Sequence, residues 1–99
     1  IIKEKKLMEK FFDMLGKQRE KTTYGYESTK KALEMAAVDT LYLSKKLDKK
    51  LAAELKQKAE DISAGIEIIS IETEEGQQFF NLSGIGAILR YAFNTQQTK

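Results

Sequence analysis

The spacing of hydrophobic positions changes along the chain, and each change predicts an element. Between residues 4 and 15, Leu7, Met8, Phe11, Phe12 and Leu15 form one helical stripe with Lys and Glu opposite, and Gly16 is placed to cap it. A polar stretch then leads to a short extended segment around Thr22 to Tyr24, ended by Gly25. A helix is expected from Glu27 to Ala37, with Ala32, Leu33 and Ala36 inward and Glu27 near its positive N-terminal end. Val38 to Leu43 is β-prone and alternates, so it reads as a strand. Asp48 to Ile62 returns to helical spacing, with Leu51, Leu55, Ala59 and Ile62 inward.

The apolar run Ile66 to Ile71 predicts a strand covered on both faces. Thr73 is a candidate cap for a helix bearing Phe79, Phe80 and Leu82, with Glu74 and Glu75 suited to its dipole. A loop, Ser83-Gly84-Ile85-Gly86, is expected to feed a last strand from Ala87 to Phe93, followed by a polar tail. Helix and strand thus alternate throughout. This predicts an α/β fold: a three-layer α/β/α sandwich around a mixed, mostly parallel four-stranded sheet. No proline or repeat divides residues 1–99, so they read as a single domain, and the start at Ile1 reads as a fragment of a longer protein.

Composition narrows the chemistry. Cysteine and histidine are both absent, which removes disulfides, thiol nucleophiles, imidazole acid–base chemistry and zinc sites of the usual kind. That inventory fits the cytoplasm, and no apolar run reaches the length of a membrane helix. The net charge of +2 makes no case for nucleic acid, but it is unevenly spread. Residues 1–50 hold 13 Lys/Arg against 8 Asp/Glu, and residues 51–99 hold 4 against 7. The densest basic run is Lys45, Lys46, Lys49 and Lys50, which reads either as a solvated helix start or as a contact for an acidic partner or ribosomal RNA. The acidic groups Glu60-Asp61 and Glu72, Glu74, Glu75 suit solubility and capping, and Thr73-Glu74-Glu75-Gly76 lacks the ligand spacing of a calcium loop. Gly84-Ile85-Gly86 precedes a strand rather than a helix, the wrong context for a phosphate loop. No catalytic residue, metal site or cofactor is expected.

Three segments, in order, resemble the C-terminal domain of class-1 peptide chain release factors of the archaeal and eukaryotic type. They are Glu4 to Asp13, Tyr24-Gly25 through Lys31-Ala32-Leu33-Glu34-Met35 to Leu41, and Glu74-Glu75-Gly76 through Gly84-Ile85-Gly86-Ala87-Ile88-Leu89-Arg90-Tyr91. Pelota-type ribosome-rescue factors share the second and third segments, while the paired phenylalanines of the first look more like a termination factor. The resemblance implies the superfamily that includes kink-turn-binding ribosomal proteins. It also implies a partner-binding role: docking a translational GTPase and a ribosome recycling ATPase, and reaching the ribosome as part of a full-length factor. Peptide release would belong to a Gly-Gly-Gln domain outside this chain. Ala36 stands where the family usually has glycine, and the minidomain often inserted after the second strand is missing between Leu47 and Asp48.

Kink-turn RNA binding is the rival reading. Aligned on Gly25 and Lys31, the chain offers Glu27 and Ser28 where RNA-binding relatives have asparagine and glutamate, so only the lysine is retained. Protein docking is preferred. In Phe11-Phe12 and Phe79-Phe80, neighbours cannot share one helical face, so one ring of each pair should be left over as an anchor. The expected partner-binding set is Phe11, Phe12, Phe80, Leu82, Gly84, Ile85 and Gly86, with an uncovered apolar patch beside the glycine turn. On that expectation Ile85→Asp would abolish GTPase association without unfolding the domain.

Overall fold

A computed structural model describes residues 2–90. Helix α1 (Ile2–Lys17) is followed by a short 3-10 turn, strand β1 (Thr22–Tyr24), α2 (Tyr26–Glu34), β2 (Val38–Ser44), α3 (Lys49–Asp61), β3 (Gly65–Ile69), α4 (Glu74–Leu82) and β4 (Ile85–Leu89). Local chemistry sets several boundaries. Asp48 begins α3 by accepting from the backbone N–H of Lys50 and Leu51, and Thr73 begins α4 by accepting from that of Gly76 at 2.9 Å. α2 stops short of the predicted Ala37 because Ala36 turns left-handed (φ 55°) and sends the chain into β2.

The strands form one sheet in the order β1-β4-β2-β3. β2 and β3 run parallel, in register Leu41↔Ile66 and Leu43↔Ile68, and β4 runs antiparallel to both β1 and β2. β1, β2 and β3 therefore share one direction, as the alternation predicts, while β4 alone is reversed. Because it lies inside the sheet, two of the three ladders are antiparallel. The reversal has a local cause. β3 ends beside the end of β2, where Lys45 N–H donates to the carbonyl of Ile69 at 2.7 Å. β4 starts at that same end, where Ser44 N–H donates to the carbonyl of Gly84 at 2.8 Å. The chain never crosses to the far end before β4, so β4 can only run back.

Helices cover both faces. Against one face, α2 and α3 bury an aliphatic cluster that includes Ala32, Leu33, Leu41, Leu43, Leu55, Ala59 and Ile85. Against the other, α1 and α4 bury Met8, Phe11, Tyr42, Ile69, Phe79 and Ile88. This is the predicted three-layer arrangement. The reading of Ile66 to Ile71 as a strand covered on both faces is corrected: β3 ends at Ile69, lies at the edge of the sheet, and leaves Ile68 44% exposed. The doubly covered strands are β2, with Leu41, Tyr42 and Leu43 all buried, and β4, buried from Ile85 to Leu89. The last strand is corrected as well, since it begins at Ile85, inside the expected loop, and its described part ends at Leu89. The predicted continuation through Tyr91 to Phe93 lies outside the described residues.

Candidate partner-docking surface

The seven residues chosen for docking do not form one patch. Phe11 is fully buried, and its ring meets the edges or faces of Phe12, Tyr42 and Phe79 with centroids 5.4–5.6 Å apart. Ile85 is 2% exposed and belongs to the aliphatic cluster on the opposite face. Gly84 and Gly86 are also buried. The expected uncovered patch at the glycine turn is therefore corrected at Gly84, Ile85 and Gly86: Gly86 is a strand residue and its neighbours point inward. The cause is steric. A β-carbon built on Gly86 would lie 2.6 Å from Cζ of Phe11, so the glycine lets the ring seat directly on the sheet. Ile85→Asp would place a carboxylate in the aliphatic core and is now expected to unfold the domain.

Phe12, Phe80 and Leu82 remain. Phe12 and Leu82 are half-buried and, with Leu7, Met14 and Leu15, crown the aromatic cluster between α1 and α4. Phe80 is 38% exposed. It departs on another side of α4: Phe79 points inward, and successive helical residues are about 100° apart, so Phe80 and Leu82 flank it on opposite sides. Phe80 leans over the left-handed turn at Gly84 (φ 78°), next to Leu47 and the end of β2. The half-buried crown is the candidate surface that gathers several apolar side chains. Arg90 follows β4 and has a structural use. Its guanidinium donates to the carbonyls of Val38 (2.9 Å) and Ile62 (2.7 Å), fastening the residue that follows α3 to the sheet.

Near the start of α2, Glu27, Ser28, Lys30, Lys31 and Glu34 line a shallow depression, so the lysine kept from the RNA-binding pattern lies among carboxylates. Tyr26 at that helix start donates its phenol hydrogen to Glu54 of α3 at 3.0 Å, tying the two helices together. Among the described residues, no cluster of three metal-ligating side chains occurs and no helix is long and apolar enough to cross a membrane.

The model of eRF1 domain 3 matches residues 1–93. The chain belongs to the eRF1 domain 3 family. Similar proteins include peptide chain release factor subunit 1 of Thermococcus kodakarensis, 33% identical over 137 positions that cover 91% of this chain and 33% of that protein. The Protein pelota homolog of Methanococcus maripaludis is 35% identical over 94 positions, covering 92% of this chain and 27% of that protein. The chain thus spans about a third of the length of the release factors it matches. Among solved structures, S. cerevisiae Dom34 superposes with a TM-score of 0.83 at 25% identity, over 96% of this chain and 29% of that one. Dom34 is described as a translation termination-like factor that interacts with Hbs1. This eRF1 domain 3 chain is therefore a domain of the kind found in translation termination-like factors. The release-factor alignment is much longer than the part of this chain it covers, whereas the Pelota alignment is nearly gapless. The missing insertion noted in the sequence accords with that difference.

Proposed function

We propose that this domain is the partner-binding module of a cytoplasmic peptide chain release factor, and that it docks a translational GTPase through the crown of α1 and α4. It acts by binding, with no reaction of its own. The supporting observation is the row of half-buried apolar side chains on that crown, Phe12 and Leu82 foremost, above a rigid aromatic core. Half-buried aromatics on a fixed base make good anchors because little side-chain freedom is lost when a partner covers them. The kinship with Dom34, which interacts with Hbs1, supports a protein partner of this kind. A recycling ATPase would be a second partner, met after termination.

The test titrates the chain against an elongation-factor-type GTPase and against a kink-turn RNA at physiological salt. GTPase binding should weaken roughly tenfold or more in Phe12→Ala, in keeping with a cost of about 2 kcal/mol for losing an interface anchor. Binding to the RNA alone, or an unchanged GTPase affinity in a folded Phe12→Ala, would refute the reading. A Pelota-type rescue factor is the second reading, favoured by the nearly gapless alignment. The full-length factor decides between them: release of peptide at stop codons supports termination, and action confined to ribosomes stalled without a stop codon supports rescue.

A further inference from the structure

We infer that the groove between α3 and the free edge of β3 is a second docking surface, one that takes an acidic, extended protein segment as an added strand. Among the described residues β3 is an outer strand of the sheet. The carbonyl of Ile69 accepts from Lys45 on the β2 side, and backbone polar groups alternate along a strand. The N–H and C=O groups of Ile66 and Ile68 therefore point outward, as a template for another strand. Exposed edges are commonly guarded by charge, proline or a bulge. Here the chain has no proline, the exposed side chain in the middle of the edge is Ile68, and the single charge in β3, Glu67, stands on the opposite face from it.

Beside this edge runs an open groove of about 500 Å³. Its floor includes Leu47, Ala52 and Ile68, and Lys45, Lys49 and Lys56 line its rim. None of these three lysines forms an ion pair among the described residues. An apolar floor, a strand edge and an unpaired basic rim together fit a polypeptide that alternates apolar and acidic residues. They fit RNA less well. The groove offers no aromatic ring for base stacking, and a sugar–phosphate chain would leave Ile68 uncovered and the edge unpaired.

The probe is a synthetic peptide of about eight residues, the length of a sheet strand, in which valine alternates with glutamate. It is titrated into the isotope-labelled 99-residue chain and followed by amide chemical shift and hydrogen exchange. Shift changes should centre on Gly65–Ile69 and Lys45–Lys49, with exchange slowed at Ile66 and Ile68. A double variant, Lys49→Glu with Lys56→Glu, should bind at least tenfold more weakly, while Gln78→Ala on the exposed side of α4 binds as the wild type does. Equal binding of a valine–lysine peptide, changes located elsewhere, tighter binding of an oligouridylate at this groove, or no binding at all would each overturn the inference.

Discussion

The two faces of the sheet are closed by different means. On the α1/α4 face, large rings are brought close to backbone by glycine. Gly86 receives Phe11, and Gly76 in the first turn of α4 lies so near the carbonyl of Ser70 that no side chain fits there. Glu4 completes that side by accepting from the Ser70 backbone N–H (3.0 Å) and hydroxyl (2.8 Å), joining α1 to the loop before α4. The α2/α3 face is filled by alanine and leucine and is fastened at its margin by polar clasps: Arg90 on Ile62 and Val38, Tyr26 on Glu54, and Lys58 on Glu34. Interlocked rings make a firm base for a half-exposed crown. A layer of small side chains held at its margin leaves Ile68 of the outer strand exposed. Each face thus offers a surface of its own character, one aromatic and one basic-apolar.

The sharpest way to break the contrast is Gly76→Ala. The added methyl would overlap the Ser70 carbonyl, so α4 must move, and a loss of about 3 kcal/mol or more is expected in urea unfolding. Gly86→Ala should cost roughly 1–3 kcal/mol by displacing Phe11. If the fit of glycine to ring is the cause, Phe11→Leu should be less harmful in the Gly86→Ala background than in the wild type. On the other face, Arg90→Ala removes two hydrogen bonds but leaves the aliphatic core intact, so about 1–2 kcal/mol should be lost, with faster amide exchange at the end of α3.

A pH series tests the aromatic side again. Burial, followed by the negative charges of Glu67 and Asp39, pushes the Tyr42 phenol from its ordinary 10.0 up to about 12. The fold therefore favours the neutral phenol. Its contribution is fully present below pH 10.0 and is lost as the pH rises towards about 12. Relative to Tyr42→Phe, the wild type should lose roughly 1–2 kcal/mol across that window, after allowance for screening by water. The smallest effect is expected at Ala36, whose left-handed φ of 55° strains a β-carbon. Ala36→Gly should stabilise by about 0.5–1 kcal/mol, seen as a higher unfolding midpoint.

Much of the fold was legible. The α1 stripe, the Thr73 cap and the alternation of helices and strands all follow from periodicity and turn chemistry, which act over a few residues. Ala36 was legible as a departure from glycine, and its left-handed backbone supplies the reason. The candidate site was much less so. Gly84 and Gly86 read as a loose turn because glycine permits one, yet Gly86 is in the sheet to make room for a ring donated by α1. The useful signal was small residues, Gly86-Ala87, in a strand and bulky rings elsewhere, a pairing that appears only once the elements are placed side by side. The four isoleucines around β3 likewise recorded hydrophobicity without recording which flank would lack a neighbour.

By itself, then, the sequence determined which segments are helical or extended, where α3 and α4 begin, and the family to which the chain is kin. Those properties depend on the rotation and hydrogen bonds of neighbouring residues. Only the tertiary structure decided that β4 is inserted in reverse between β1 and β2, that Phe11 rather than Phe12 fills the core, and that β3 is left with an open edge. Those outcomes depend on which distant surfaces meet, since burial is a property of two packed elements together and is not written in either one alone.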